Sequence, residues 1–204
     1  MLENFIYEKP NTISKGTCKK IIELFEENRE NQYPGQTAGG HNPDIKDTLD
    51  FSIPVEATFQ EDNSWNPICK VLTESLQENI NIYLKSLNNS HPNYISENYK
   101  FISADFLSEE TYQIQKYIKG EGKYVYHNDF TLKWDLRQYR VITFLWYLNT
   151  IEEGGETEIL GSINIKPEAG KLLLFPASWI FPHRGKMPNS EDKYIITGWF
   201  HVTE

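Results

Sequence analysis

Between Tyr112 and His201 the chain is cut into short stretches whose apolar residues alternate with period two, and this pattern limits the fold more than any other feature. Residues 112–117, 140–148, 157–160, 163–166, 171–175 and 194–201 carry it, punctuated by Gly, Pro and Asn. A period of two places successive side chains on opposite faces of a strand. Short strands so punctuated predict a sandwich or barrel. Upstream the period is 3.6. Ser14 is suited to cap a helix carrying Cys18, Ile21, Ile22, Leu24 and Phe25 on one stripe and ending near residues 28–31. A second helix is expected from Asn63 or Ser64 to about Leu87, with Ile68, Val71, Leu72, Leu76, Ile80, Tyr83, Leu84 and Leu87 as its apolar stripe. Residues 2–10 read as a short strand closed by Pro10, another short strand is expected around residues 50–54, a long loop from Gln32 to Leu49, and a turn from Asn88 to Pro92. Long loops in compact domains often carry function.

At 204 residues the chain suits one domain with a sizeable core, residues 1–92 supporting a β core at 93–204. The net charge of −9 argues against nucleic acid as the main partner, because phosphate binding needs clustered Lys and Arg. No apolar run approaches membrane length, so no membrane association is expected. Cys18 and Cys69 lie far apart in helical patterns without metal-ligand spacing. They read as reduced core thiols, which points to the cytoplasm.

The chemistry concentrates at His127-Asn128-Asp129. A histidine and a carboxylate two apart on an extended segment share a face and can bind one metal ion. His183 follows 56 residues after His127, in Phe-Pro-His-Arg-Gly. Two imidazoles and a carboxylate leave coordination positions open, as in non-haem Fe(II) oxygenases. Ten residues further on, Lys193 heads an apolar strand whose alternation sets Lys193, Ile195, Thr197 and Trp199 on one face. A fixed cation there would hold the far carboxylate of a dicarboxylic co-substrate. Thr197 would donate its hydroxyl to that carboxylate or line the pocket. His41 and His91 read as loop residues, and His201 has no assigned role.

Five blocks extend the pattern: 117–129, 140–149, Glu-Gly-Gly-Glu-Thr-Glu-Ile at 153–159, 166–175, and His-Arg-Gly followed by Lys-Tyr-Ile-Ile-Thr-Gly-Trp at 183–199. In order and spacing they resemble the Fe(II)- and 2-oxoglutarate-dependent dioxygenases, in the prolyl 4-hydroxylase branch. The resemblance implies a mainly β fold with flanking α: a double-stranded β-helix, the jelly-roll barrel, buttressed by two N-terminal helices. It implies Fe(II), 2-oxoglutarate and O2, with ascorbate as an accessory reductant. His127, Asp129 and His183 would be the metal ligands and catalytic centre, and Lys193 the co-substrate anchor. Tyr117 and Tyr147 would point phenols at 2-oxoglutarate. Arg140 and Trp199 would contact the substrate, with Tyr124 adding to their wall. Gly154-Gly155 reads as a tight turn that no side chain would allow.

The implied reaction is hydroxylation of a C–H bond, most naturally in a prolyl residue of a peptide or protein, with release of succinate and CO2. The span from Tyr117 to His127 fits the oxygen-sensing prolyl hydroxylases, whereas Gly-Gly-Glu-Thr is the fingerprint of the collagen-type and algal branch. Two alternatives stay open: a hydroxylase of free amino acids or small metabolites, and a cupin-like binding module without catalysis. The loops at 32–49 and 130–139 decide between the two enzymes, since they either admit a chain or close over a small molecule.

Overall fold

The computed structural model describes residues 2–54, 63–90, 103–133 and 138–203. Helix α1 (Lys15–Glu27) begins where expected, with the Ser14 hydroxyl accepting from the Thr17 N–H at 3.0 Å. It buries Cys18, Ile21, Leu24 and Phe25 and ends at Asn28, before a 3-10 turn at Arg29–Asn31. Helix α2 (Asn66–Ser90) buries the forecast stripe except Val71, which is 38% exposed. It continues through Asn88 and Asn89, where a turn was expected; the rest of that turn, with His91, lies outside the described residues.

The described strands form two facing antiparallel sheets and a small hairpin. The larger has nine strands, in the order Tyr7–Lys9, Leu172–Pro176, Gln138–Tyr147, Lys193–Thr203, Gln113–Tyr117, Leu49–Ser52, Tyr33–Pro34. Leu132–Lys133 and Ser108–Glu109 attach beside the third and fourth of these. The smaller runs Ile163–Ile165, Thr157–Ile159, His183–Gly185, Lys123–His127, Lys46–Asp47. This is the jelly-roll architecture, with α1 and α2 packed on the outer face of the larger sheet.

Alternation along the central strands divides the core in two. Phe144, Trp146, Leu172, Leu174, Ile114 and Ile196 face the helices. Leu145, Tyr147, Leu173, Phe175, Tyr117 and Ile195 face the second sheet. Both faces are covered, so residues 172–175 form an unbroken apolar run where alternation was expected. Each such side chain taken fully out of water contributes about 1.5–3 kcal/mol. Polar ties fix the layers: the Trp146 indole donates to Thr12 Oγ1 at 2.9 Å, and the Tyr83 hydroxyl to the Phe5 carbonyl at 2.8 Å.

Two N-terminal expectations need correction. Within residues 2–10 only Tyr7–Lys9 is a strand, paired on Leu172–Leu174, and Leu2–Phe5 forms a 3-10 turn. Residues 32–49 are no structureless loop. They contribute Tyr33–Pro34, a hairpin of Gln36–Thr37 with Gly40–His41, and Lys46–Asp47. These strands are two residues long, too short for any local periodicity to announce them, and Lys46–Asp47 pairs on the distant Lys123–Tyr124.

Gly198 lies opposite Phe144 in the sheet, and a Cβ there would run into the Phe144 ring, which is fully buried. Gly198→Ala should therefore cost about 1–3 kcal/mol through overpacking. Urea unfolding checks this; an unchanged midpoint would mean that Phe144 has room to move.

Candidate metal centre

His127 ends the strand Lys123–His127, and its cross-strand partner is His183, the first residue of His183–Gly185. One antiparallel register thus unites side chains 56 positions apart in sequence. Asn128 then turns the chain, its Oδ1 accepting from the Phe130 N–H at 3.2 Å, and the Asp129 carboxylate comes near both rings. One ligand atom from each of His127, Asp129 and His183 falls within 4.8 Å of the others. Asp129 Oδ1 lies 3.6 Å from His127 Nε2, and Oδ2 lies 3.4 Å from His183 Nε2.

The protonation pattern suits a metal. His127 Nδ1 lies 2.8 Å from the Val125 carbonyl and His183 Nδ1 3.1 Å from the Phe181 carbonyl. A carbonyl only accepts, so each Nδ1 carries the proton and each Nε2 lone pair is free to coordinate. Burial, with His183 adding to it, lowers the His127 pKa to about 4 despite the opposing pull of Asp129. The ring is neutral at pH 7. Burial alone would raise the Asp129 pKa, but His183, His127, Thr143 and Trp199 outweigh it and hold the carboxyl below its usual range. Two imidazoles and an ionised carboxylate are the donor set of a divalent non-haem iron site, so the residues fit the ion.

The rings around the ligands are tightly packed. Tyr124 stacks on His127 at 3.5 Å between centroids, and Phe175 meets His183 edge-on at 4.8 Å. A narrow inner cavity of about 40 Å³ reaches from the three ligands past Gln115, Tyr117, Thr143, Thr157, Ile195 and Thr197. Trp199 and Tyr124 stand at its junction with an outer cleft of about 590 Å³. Residues 36–39 of the hairpin line that cleft, as do Phe130, Thr131 and Arg140.

Lys193 is 1% exposed, so it is no solvated strand-edge lysine. Its Nζ donates to the Gly155 carbonyl at 3.0 Å and sits 3.8 Å from the Tyr117 ring centroid. Among the described residues no carboxylate lies within ion-pair distance of it, and burial lowers its pKa to about 7, against a smaller upward pull from Glu156. Gly154 and Gly155 both take positive φ, 72° and 73°, as the tight turn requires. The hydroxyls of the other pocket residues are engaged. Tyr117 donates to Gln115 Oε1 at 3.2 Å, Tyr147 to Thr157 Oγ1 at 2.7 Å, and Thr197 to the Phe144 carbonyl at 3.2 Å. Tyr147 lies behind the inner cavity, one layer from its lining.

Arg140 makes a two-pronged ion pair with Glu110, at 2.9 and 2.8 Å, while its guanidinium lies 3.5 Å from the Trp199 ring centroid. It therefore lines the cleft as a paired cation. Sequence reasoning passed over Glu110, Thr143, Gln115 and the buried pair Lys46–Asp50 at 2.6 Å. A signal existed for two of these. Thr143 and Gln115 are polar residues in phase with Tyr147 and Tyr117 on the inward face of otherwise apolar strands. Glu110 left none, because its partner Arg140 lies thirty positions away, while Lys46 and Asp50 are close in sequence but sit on strands of different sheets.

Residues 112–201 match the family model described as the 2OG-Fe(II) oxygenase superfamily. No curated protein matches the chain in sequence. Among solved structures it is similar to a viral collagen prolyl hydroxylase from Paramecium bursaria Chlorella virus-1 in complex with 2OG, with a TM-score of 0.64 at 18% identity, covering 98% of this chain and 97% of that one. It is similar to a Trichoplax adhaerens prolyl hydroxylase in complex with a hypoxia inducible factor peptide fragment, with a TM-score of 0.68 at 19% identity, covering 98% and 84%. It also resembles a Pseudomonas putida prolyl-4-hydroxylase, with a TM-score of 0.63 at 14% identity, covering 96% and 92%. At these identities the likeness is one of fold.

The Lys193 burial has a pH signature. Between about pH 7 and its unfolded pKa near 10.4 the unfolded chain carries a proton on this lysine that the folded chain lacks, so this group adds stability as pH rises. Below pH 7 both states are protonated and the cost of burying the ammonium is felt in full. Lys193→Met should stabilise the ligand-free protein most at pH 6, with the advantage shrinking towards pH 10. Urea midpoints of both proteins across that range test it, and a gap that does not vary with pH would refute it.

Proposed function

We propose that this chain, a member of the 2OG-Fe(II) oxygenase superfamily, hydroxylates a prolyl residue within a peptide or protein. The observation that carries the peptide reading is the outer cleft. The two cations lining it among the described residues, Lys46 and Arg140, are already neutralised by Asp50 and Glu110. A free amino acid would bring a carboxylate that needs a counter-charge in a partly dry site. An internal residue of a chain brings only amides and an uncharged ring. The cleft, of about 590 Å³, is also lined by two segments separate in sequence, residues 36–39 of the hairpin and residues 128–131. That two of the similar structures are prolyl hydroxylases described with collagen or a peptide fragment adds support by analogy.

In this reading His127, Asp129 and His183 hold Fe(II) through Nε2, a carboxylate oxygen and Nε2. The bound iron with 2-oxoglutarate and O2 supplies the oxidant that exchanges C–H for C–OH as 2-oxoglutarate becomes succinate and CO2. Lys193 binds the far carboxylate of the co-substrate. Its support is a buried ammonium with a carbonyl and a ring for company but no anion. An incoming carboxylate would raise its pKa, so co-substrate binding takes up a proton above pH 7. Tyr117, Tyr147 and Thr197 shape the inner pocket around that carboxylate. Tyr124 and Trp199 offer flat apolar faces to a pyrrolidine ring, and the paired guanidinium of Arg140 keeps the Trp199 ring in place. Ascorbate belongs to this proposal as a protective reductant, and the cytoplasm as the compartment in which Cys18 and Cys69 stay reduced.

Succinate release under air with Fe(II) and 2-oxoglutarate tests the reading. A proline-rich peptide should stimulate turnover where free L-proline does not, and Asp129→Ala should lower it by about 100-fold or more, beyond the 10–100-fold typical of losing a group behind a ligand. Stimulation by free proline alone would overturn the peptide assignment. Wild-type protein that binds no metal and releases no succinate would overturn the oxygenase and favour a binding module.

A further inference from the structure

The ligands of the metal centre come from the smaller sheet and the turn after it, yet they are held from across the barrel. On the larger sheet, Thr143 has Phe175 as its cross-strand neighbour on one side and Trp199 on the other. Directly opposed residues on neighbouring antiparallel strands project to the same face. These three side chains therefore form one transverse row, and all three line the inner cavity. Each meets a ligand. Phe175 sets its ring edge-on to His183, with centroids 4.8 Å apart. Thr143, 2% exposed, donates its hydroxyl to Asp129 Oδ2 at 2.7 Å. The Trp199 indole N–H is buried without a hydrogen-bond partner, although it lies close enough to Asp129 to help lower its pKa.

We propose that the row Phe175–Thr143–Trp199 is a template that sets the orientation of the metal ligands, with Thr143 and Trp199 as positioning residues for Asp129. The inference rests on the metal-site reading given above. A carboxylate on a turn can rotate about χ2 and swing either oxygen, or both, towards an ion. Asp129 sits beyond the end of its strand, where no ladder hydrogen bond restrains it. The Thr143 hydroxyl occupies Oδ2, and Oδ1 faces His127 Nε2. A buried indole N–H with no acceptor is costly to leave unmade. The nearby carboxylate is the acceptor at hand, and a small rotation of Asp129 as it takes up the ion would complete that bond. The row would then grip the carboxylate with two donors while Phe175 fixes the plane of the His183 imidazole. The smaller sheet supplies the ligands and the larger sheet their geometry.

The test is metal affinity of the purified protein without co-substrate, read as free Mn(II) by electron paramagnetic resonance. Thr143→Val keeps the shape and removes the donor, and should weaken Mn(II) binding about 10–100-fold, the range for groups that orient a metal ligand. Thr143→Ser restores the hydroxyl and should bind within about threefold of wild type on the same grounds. A merely structural role for Thr143 would not separate these two variants. Trp199→Phe should weaken binding about tenfold, and it decides the matter if Thr143→Val does not fold by circular dichroism. Folded Thr143→Val and Trp199→Phe proteins that both bind Mn(II) as wild type does would overturn the template. Wild type that binds no better than Asp129→Ala would instead overturn the metal site itself.

Discussion

The pairing of His127 with His183 is a single rung in an antiparallel ladder, and the site depends on its register. A slip of one residue would turn every side chain of the short strand His183–Gly185 to the opposite face. The three-residue strand is held on its far side by Thr157–Ile159, whose Ile159 pairs with His183. It is held from below by Phe175 and Tyr117, which belong to the other sheet. Two facing sheets are therefore needed to keep one pair of imidazoles in place. That requirement gives the helices their role, since α1 and α2 cover the outer face of the larger sheet and leave its inner face for the site.

The charges near the centre fall into two kinds. Arg140–Glu110 and Lys46–Asp50 are complete pairs in partly or fully buried surroundings, and each is anchored by further contacts: Trp199 for the first, Thr48 and Tyr124 for the second. Breaking one partner of such a pair strands a buried charge, so these pairs define shape more than they offer binding capacity. Lys193 differs, because its ammonium has a carbonyl and an aromatic face but no carboxylate within reach among the described residues. A buried cation left short of an anion is a functional asymmetry in a protein whose net charge is −9.

Much of this was legible in the chain itself. The two helices, the Ser14 cap, the strands between 112 and 201 and the glycine turn at 154–155 follow from local periodicity and stereochemistry, although Val71 turns out of its stripe and α2 runs on through Asn88 and Asn89. That His127, Asp129 and His183 could share one ion was legible, because a His-x-Asp beside a strand end is a short-range signal and His183 follows in a second strand. The two-residue strands at 33–47 were not, since two residues are too short to show a period, and Lys46–Asp47 exists only against Lys123 and Tyr124. Nor was the ion pairing of Arg140, which depends on Glu110 thirty positions away.

The sequence by itself thus determined which side chains can bind a metal and which strands carry them, because donor chemistry and the two-residue period are properties of the chain. Only the tertiary structure decided what stands behind those donors. Thr143 was one more polar residue in an apolar strand until folding set it opposite Trp199 and beneath Asp129. Burial, which comes only with the tertiary structure, keeps His127 and, at pH values above about 7, Lys193 uncharged. Hydrogen bonds and desolvation act through space over a few ångströms, and residues far apart in the chain reach that range only once the two sheets have closed.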